Sequence, residues 1–460
     1  MLPYIQRRKQ LKKDVGSGLL LFLGNNLVGM NYTDNNYPFR QDSSFLYFIG
    51  IDQPALAAII DIDNDTETVF GDDPSIDDIV WTGNMPSISQ LASEVGISHT
   101  LPMSALKTTL DSARAKGQPL HFLPPYRGDH SLWLMELIGI EPQAQTAMAS
   151  IPFIQAIVDQ RNHKDEDELR LIEEAVDFST EMHLAAYRTV APGIHEAQVA
   201  AAVEEVIAKH GGRLAFPTIA TVRGQVLHNH GFIHQLHEGD IFLLDAGAEI
   251  QSHYCGDLSS SMPVSDQFST RQAEVYDIHL LSFQAAVDHL QLGRPFREAH
   301  IAAATKIAEG MKTLGLMKGD PAEAAEIGAY ALFFPCGLGH MMGLDVHDME
   351  NLGEQYVGYA KGERKSTQFG FKSLRLARPL EEGFVFTVEP GIYFIPELMD
   401  QWEAEHRFCD FICYDKLHAW RDFTGLRNEL NYVMTAQGAR RLGTLSKPMT
   451  IKEVYEAKGL

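Results

Sequence analysis

The sequence predicts an α/β protein of two domains. With 460 residues, the chain is longer than a single hydrophobic core usually supports. Short apolar runs alternate with helical stretches in the first third of the chain. The pattern of apolar and charged residues changes near residues 155–165, where the charged run KDEDELR begins a long amphipathic stretch. We therefore expect one domain over residues 1–160 and a second over residues 161–460.

The first domain shows strand and helix patterns in alternation. GLLLFLGN, FLYFIGI and ALAAIIDI are typical of buried strands, and DIDNDTETVF indicates a strand, an Asp/Asn turn and a second strand. SISQLASEV and SALKTTLDSARAKG predict helices. The basic and then apolar start predicts a short helix before the first strand, rather than a signal peptide. We find no catalytic cluster here and expect a binding or oligomerisation role.

The second domain begins with two predicted helices. Leu169, Ile172, Val176 and Met182 recur at helical spacing until the APG sequence ends the pattern. IHEAQVAAAVEEVIAKHGG predicts the next helix, which ends on its two glycines. From residue 226 onward, strand patterns are interrupted by helices around residues 270–315.

Composition narrows the classes of partner. The chain carries 61 acidic and 38 basic side chains, a formal charge of -23. Such a surface repels phosphate backbones and anionic lipid, which argues against nucleic acid and membranes as main partners. The four cysteines form no CxxC pair, so we expect reduced thiols and a cytoplasmic location.

Two aspartates stand out in DIFLLDAGAEIQSHYCGDLSSSMPV. Asp245 ends one apolar strand pattern and Asp257 begins the next. A buried carboxylate without a partner is strongly disfavoured, and a divalent cation is one way to satisfy it. The alternative is that Asp245 merely caps a turn at Gly247.

Three further segments carry residues of similar chemistry. FPCGLGHMMGLDVHDME frames His340 with glycines, and His347 follows seven residues later. EEGFVFTVEPGIYFI places Glu389 between an apolar run and a Pro-Gly turn. FTGLRNELNYVMT would place Arg427 and Glu429 on one face of a strand. A satisfied core histidine and a structural Arg–Glu pair are the alternatives.

Together, these segments supply four carboxylates and one imidazole. Four carboxylate charges can neutralise two divalent cations, and a bridging hydroxide would then be the nucleophile. Oxygen-rich ligands favour manganese, cobalt or magnesium over a thiolate zinc site. Such a cluster hydrolyses amides or phosphoesters, so the residues alone leave the reaction class open.

The order of these residues resembles that of the proline-specific pita-bread metallopeptidases. GLGHMMGLDVHD, SLRLARPLEEGFVFTVEPGIYFI and GLRNELNYVMT are similar to family motifs, and YPFRQDSSFLYFIGID resembles the N-terminal domain of aminopeptidase P and prolidase. The resemblance covers nearly the whole chain. It implies a creatinase/aminopeptidase P-type α/β domain followed by a pita-bread α+β catalytic domain. It also implies a homodimer that cleaves short proline-containing peptides with two divalent ions, manganese in most cases.

The resemblance also implies residue roles. Asp245, His340 and Glu389 would be terminal metal ligands, and Asp257 and Glu429 would bridge both ions.

The remaining roles concern the substrate. His228, in GQVLHNHG, and His347 would bind the substrate and stabilise the tetrahedral intermediate. Arg427 would orient a bridging carboxylate, and Tyr393 would line the proline pocket.

Three departures from the family pattern concern the shape of the pocket. One extra residue separates Asp245 from Asp257, which predicts an enlarged turn. Asn229 replaces an aromatic residue, and Leu430 replaces an acidic one.

The subtype depends on Arg375 in KSLRLARPL. A dipeptidase must detect a free carboxylate just beyond proline, and paired hydrogen bonds from arginine do this well. Because Arg375 resembles the prolidase arginine and the stretch from His347 to Glu389 is long, we favour Xaa-Pro dipeptidase over Xaa-Pro aminopeptidase. The alternative is a structural arginine. Non-catalytic pita-bread binding proteins and creatinase-type hydrolases lack the complete ligand set.

Overall fold

The computed structural model describes residues 3–460, so Met1 and Leu2 lie outside the description. The chain divides into two compact units. The first extends to Arg161 and includes Asn351–Gly353, and the second comprises Asn162–Glu350 and Glu354–Leu460. None of the helices within residues 3–460 is long and apolar enough to cross a membrane.

The first part of the chain forms eight helices and five strands. The helices are α1 (Pro3–Val15), α2 (Ser43–Phe48), α3 (Ile76–Thr82), α4 (Ile88–Glu94), α5 (Ala105–Ala115), α6 (Gly128–Ile138), α7 (Pro142–Met148) and α8 (Ile151–Asn162). The strands are β1 (Leu19–Leu23), β2 (Ala57–Asp61), β3 (Thr66–Phe70), β4 (His99–Leu101) and β5 (Leu120–His121). The strands form one sheet in the order β4-β3-β2-β1-β5.

The apolar runs explain the centre of this sheet. GLLLFLGN and ALAAIIDI become β1 and β2, which pair antiparallel and are buried along most of their length. DIDNDTETVF supplies the turn into β3, as predicted. The basic start forms α1, which confirms the predicted helix for the residues described.

The prediction of a strand at FLYFIGI is wrong. This segment forms α2, and all six helical residues are buried. The carboxylate of Asp42 accepts a hydrogen bond from the backbone N–H of Phe45 and so caps the helix. A short apolar run does not distinguish a buried strand from a buried helix, and here the cap decides.

The second unit is larger and mixes helices with small sheets. Its helices are α9 (Glu166–Thr189), α10 (Glu196–Lys209), α11 (Thr270–Asp288), α12 (Phe296–Thr313), α13 (Pro321–Ile327), α14 (Glu354–Val357), α15 (Pro396–Ala404), α16 (Tyr414–Leu417) and α17 (Ile451–Lys458). Its strands are β6 (Arg213–Leu214), β7 (Ile219–Thr221), β8 (Ile241–Ala246), β9 (Ala248–Glu249), β10 (Leu258–Pro263), β11 (Val385–Val388), β12 (Gly391–Tyr393), β13 (Gly425–Arg427), β14 (Leu430–Thr435) and β15 (Gly438–Arg441). Short 3-10 turns cover Ala329–Leu332, Glu350–Leu352, Phe371–Ser373 and His418–Trp420.

Helix α9 follows its predicted pattern. Ile172, Val176 and Met182 are buried, and Leu169 is half-buried. A reciprocal capping box at Asp165 starts the helix. The apolar stripe therefore faces the core of this unit.

Two three-stranded sheets position the polar residues of this unit. The first has the order β10-β8-β7 and the second β11-β14-β15, while β12 pairs with β13 and β6 with β9. The single strand expected at GLRNELNYVMT is instead two strands. The chain leaves β13 at Arg427, and β14, which begins after Glu429, pairs with β11.

A buried arginine links three segments of the first unit. The Nε of Arg8 donates to the carboxylate of Glu67 at 2.6 Å. Its two terminal nitrogens donate to the carbonyl oxygens of Phe48 and Val95, each at 3.0 Å. Arg8 is fully buried, so these bonds are shielded from water.

We expect Arg8→Met to lower the free energy of unfolding by about 2–4 kcal/mol, because buried carbonyl oxygens lose their donors. Urea unfolding followed by circular dichroism measures the change. Lys107→Met removes an exposed ion pair with Asp111 and should cost under about 0.5 kcal/mol. Equal effects of the two substitutions would contradict a structural role for Arg8.

Candidate active site

The β8–β10 pair places two aspartates on one face. Asp245 lies opposite Ser259 across the antiparallel pair. Asp257 is two residues before Ser259, so its side chain points to the same face as that of Asp245. A short loop precedes Asp257 in the chain. In this loop, His253 adopts a left-handed φ of 69°, and its Nδ1 lies 2.7 Å from Glu249 Oε1. This loop holds the residues of the turn that we expected to be enlarged.

His340 is held by the backbone of β11. Its backbone N–H donates to the hydroxyl of Thr387 at 3.2 Å, and its carbonyl accepts from the backbone N–H of Thr387 at 3.0 Å. A Cβ on Gly339 would lie 2.1 Å from the carbonyl oxygen of Thr387, so only glycine permits this close approach. The Nδ1–H of His340 donates to the carbonyl of Met341 at 3.0 Å. In the neutral ring, Nε2 therefore carries the lone pair.

That nitrogen faces carboxylates. The Nε2 of His340 lies 3.3 Å from Asp257 Oδ2 and 3.6 Å from Glu389 Oε1. Ligand atoms of Asp257, His340 and Glu429 all lie within 4.8 Å of one another, the spacing that a shared cation requires. Asp245 and Glu389 line the same cavity of about 450 Å³.

Three carboxylate oxygens in this cluster lack a protein donor. Among residues 3–460, no hydrogen-bond partner reaches Oδ1 of Asp245, Oδ1 of Asp257 or Oε1 of Glu429. Buried polar atoms without partners are uncommon and costly. Four carboxylates and one imidazole also match the charge and ligand preference of two divalent cations. The donor set therefore fits a metal pair.

Burial and mutual repulsion shift the protonation of these groups. Burial, together with the charges of Asp245 and Glu389, raises the pKa of Asp257 to about 7 against the hydrogen bond from His340. Burial and the charge of Asp257 raise the pKa of Glu429 well above its ordinary value. Burial alone would lower the pKa of His340, but the hydrogen bond to Asp257 and the charge of Glu389 raise it to about 9. Without metal, the cluster holds protons.

Arg427 does not contact either carboxylate that we expected to bridge the metals. Its Nη2 donates to Asp245, and its Nε donates to the hydroxyl of Ser259 at 2.8 Å. Ser259 in turn donates to Glu429 Oε2 at 2.8 Å. Arg427 therefore fixes Asp245 directly and Glu429 only through this serine.

Tyr393 is not among the residues that line the cavity, and its role in a proline pocket stays a prediction. Its side chain is fully buried, and its hydroxyl accepts a hydrogen bond from Nη1 of Arg427 at 2.7 Å. Burial raises the pKa of Tyr393 well above its ordinary value, so the phenol stays protonated. The position of Tyr393 suits it to hold Arg427.

Both histidines that we expected to bind the substrate lie in the cavity. His228 lines it from the loop after β7, and burial and the charge of Arg427 lower its pKa, which favours the neutral ring. The ring of His347 stacks on that of His340 with centroids 3.8 Å apart. Burial and the charge of His340 lower the pKa of His347 to about 4.

Arg375 also lines the cavity, but it is already paired. Its Nη1 lies 2.5 Å from Glu350 Oε2 and 3.0 Å from Glu354 Oε1. Its side chain remains 35% exposed. The arginine that we expected to bind a substrate carboxylate therefore shares one nitrogen between two glutamates.

Four residues that contribute to the site were not predicted from the sequence. Ser259 and Asn431 brace the carboxylates, since the Nδ2 of Asn431 donates to the carbonyl of Asp257 at 2.6 Å. Cys336 lines the cavity, and burial and the charge of Glu389 raise the pKa of its thiol to about 12. Glu350 accepts from His347. The run of three serines in β10 was the one usable signal, because buried hydroxyls need partners.

Comparison with known proteins identifies the family. Metallopeptidase family M24 matches residues 170–436, and the N-terminal domain of aminopeptidase P matches residues 4–121. The chain belongs to metallopeptidase family M24. The expected two-part architecture, with a pita-bread domain after an aminopeptidase P-type domain, and the metallopeptidase class are confirmed. The family is metal-dependent.

Relatives carry two kinds of name. A probable Xaa-Pro aminopeptidase of Botryotinia fuckeliana is 28% identical over 95% of this chain and 91% of its own length. The human Xaa-Pro dipeptidase is 27% identical over 92% of this chain and 85% of its own length. The structure of the Pseudomonas aeruginosa aminopeptidase PepP is 25% identical, with a TM-score of 0.80, and covers 99% of this chain and 97% of that one.

We expect metal binding to release about two protons per chain near pH 7, because His340 and the raised carboxyl groups must lose their protons to ligate. The sign follows from the raised pKa values: below them the groups hold protons, so affinity for Mn²⁺ falls as pH is lowered. Calorimetry of the EDTA-treated protein in buffers of different ionisation enthalpy measures the release.

The Glu354→Gln variant serves as the control, since Glu354 lies outside the ligand set. It should release as many protons as the wild type. Mn²⁺ binding with no proton release by the wild type would contradict the expected cluster.

Proposed function

We propose that this member of metallopeptidase family M24 hydrolyses the peptide bond before proline in short peptides. One observation carries the proposal. The five candidate ligands, two neutral histidines and two arginines line a single cavity. The relatives named Xaa-Pro aminopeptidase and Xaa-Pro dipeptidase support the choice of bond.

Two divalent cations, Mn²⁺ in this proposal, would be held by the candidate ligands. These are Asp245, Asp257, His340, Glu389 and Glu429. When bound, such ions supply an activated water and polarise the scissile carbonyl. The oxygen-rich donor set supports manganese over zinc.

The protein's own residues orient the substrate. The Nδ1–H of His347 is directed at Glu350, which leaves Nε2 for the peptide. His228 faces the same cavity and favours its neutral form, so it can donate one hydrogen bond where oxyanion charge develops. Arg427 holds Asp245 in place and is itself held by Tyr393. His347 and Arg427 thus keep a fixed orientation before the substrate arrives.

Arg375 supports the dipeptidase subtype. Among residues 3–460, both hydrogen bonds from Arg375 to protein acceptors use Nη1, and none uses Nη2 or Nε. Those N–H groups remain available for a free carboxylate beyond proline. The pairing of Arg375 with two glutamates supports the alternative, an Xaa-Pro aminopeptidase, because the charge of the guanidinium is already balanced.

We expect wild-type enzyme with Mn²⁺ to cleave an Xaa-Pro dipeptide at least about 10-fold faster, in kcat/KM, than the same dipeptide amidated at its C-terminus. Arg375→Ala should remove most of that preference, since a carboxylate pair of this kind contributes about 1.5–3 kcal/mol. Peptide hydrolysis followed by chromatography gives both rates.

Lys372→Ala is the matched control, because Lys372 is exposed in the same segment. It should leave the preference unchanged. Equal rates of the wild type on the free and amidated peptides would favour the aminopeptidase, and no cleavage of either kind of peptide would refute the proposed function.

We further propose that the enzyme acts in the cytoplasm as a homodimer. All four cysteines are free, which supports a reducing compartment. Helix α3 has no buried residue, and Ile76, Val80 and Trp81 are 74%, 72% and 86% exposed. Large apolar side chains clustered in this way favour contact with a second copy.

We expect Trp81→Glu to shift the protein from dimer towards monomer, because it places a charge in an apolar contact. Light scattering after size exclusion measures the mass. Leu132→Glu alters a single exposed apolar side chain on α6, 56% exposed and outside this cluster, and should leave the mass unchanged. A monomeric wild type, or a Trp81→Glu dimer of unchanged stability, would exclude this surface.

A further inference from the structure

Glu350 connects two groups that face the substrate. Its Oε1 accepts a hydrogen bond from the Nδ1–H of His347 at 2.9 Å. Its Oε2 accepts from Nη1 of Arg375 at 2.5 Å. Within residues 3–460, no other side chain hydrogen-bonds to both His347 and Arg375. One carboxylate therefore joins them.

The setting makes these bonds strong. The side chain of Glu350 is only 19% exposed, and that of His347 is 37% exposed. Hydrogen bonds that involve an ionised group are shorter and roughly twice as strong as neutral ones, and partial burial strengthens them further. Glu350 lies three residues after His347, in a 3-10 turn that begins at Glu350 itself. The local backbone thus fixes the distance between acceptor and imidazole.

The geometry points to Glu350 as a positioning residue that couples recognition of the substrate's free carboxylate to stabilisation of its scissile carbonyl. This inference rests on the roles proposed above for His347 and Arg375. Glu350 fixes the tautomer and the ring orientation of His347 with one oxygen. With the other it restrains the guanidinium of Arg375, so that its remaining N–H groups keep a set direction.

Glu354 supplies a natural comparison. It accepts from the same nitrogen of Arg375 at 3.0 Å and pairs with Lys365, but it forms no hydrogen bond with His347 in the described part of the chain. Both glutamates therefore restrain Arg375, whereas only Glu350 also holds His347. Changing each in turn separates the two effects.

The test compares Glu350→Gln with Glu354→Gln. Both substitutions keep the shape of the side chain, but a glutamine oxygen satisfies only one donor, and its amide N–H groups oppose the other. For an Xaa-Pro dipeptide, we expect Glu350→Gln to lower kcat about 10–100-fold and to raise KM. We expect Glu354→Gln to raise KM while kcat stays within about twofold.

Two further comparisons, with the amidated dipeptide and in an Arg375→Ala background, separate the effect on kcat from the effect on KM. On the amidated dipeptide, Glu350→Gln should still lower kcat but should no longer change KM. In an Arg375→Ala background, it should likewise affect kcat alone. If Glu350→Gln and Glu354→Gln had the same kinetic profile, the coupling would be refuted.

Two readouts do not depend on activity. Crystal structures should show the His347 ring displaced in Glu350→Gln and in place in Glu354→Gln. Metal content should match the wild type in both variants, since Glu350 contacts none of the five candidate ligands in the described residues. An undisplaced His347 would refute the positioning role even if the protein cleaves proline peptides. If the wild type cleaved no proline peptide but His347 were displaced in Glu350→Gln as expected, the proposed function would be refuted instead.

Discussion

Four carboxylates share one buried cavity, and their mutual repulsion is the constraint on which the site depends. Burial raises the pKa of Asp257, Glu389 and Glu429, and the charge of Asp245 raises the pKa of each of them further. Arg427 offsets part of this charge through its hydrogen bond to Asp245. Such a cluster remains in a folded protein only if other parts of the chain provide the stability, or if cations neutralise it. Among the described residues, Oδ1 of Asp245, Oδ1 of Asp257 and Oε1 of Glu429 are the buried oxygens of this cluster without a hydrogen-bond donor.

The two central sheets hold these groups with little freedom to relax. Asp245 and Asp257 come from the β8–β10 pair, whereas Glu429 precedes β14 of the other sheet. Ser259 and Asn431 connect the two sheets. The hydroxyl of Ser259 donates a hydrogen bond to Glu429, and the side-chain amide of Asn431 donates one to the backbone carbonyl of Asp257. These hydrogen bonds keep the carboxylates close together, the spacing that a shared cation would require. Sites supported by strands are held more firmly than sites on loops.

The sequence predicted most of the large elements but not their detailed partners. Apolar runs identified β1, β2 and α9, because burial leaves a periodic trace in the chain. The same signal failed for FLYFIGI, where a local cap at Asp42 selected a helix. The candidate ligands were visible as carboxylates placed against apolar runs. The roles of Tyr393 and Glu350 were not visible, because they depend on which side chain meets which in three dimensions. Glu350 and Arg375 are 25 residues apart in the chain, and no periodicity links them.

The net charge of the protein bears on how the carboxylate of the proposed substrate would be recognised. An Xaa-Pro dipeptide with an uncharged first side chain is a zwitterion near pH 7, so the formal charge of -23 gives its free carboxylate no favourable steering at long range. Recognition must then come from directed hydrogen bonds inside the cavity. Glu350 and Glu354 reduce the net attraction of Arg375, but they also restrain it, so less conformational entropy is lost when a ligand binds. An arginine held in this way discriminates by geometry: it favours a carboxylate in the right place over negative charge in general. If Arg375 binds the substrate as proposed, selectivity for the free carboxylate would therefore depend on its position more than on its charge.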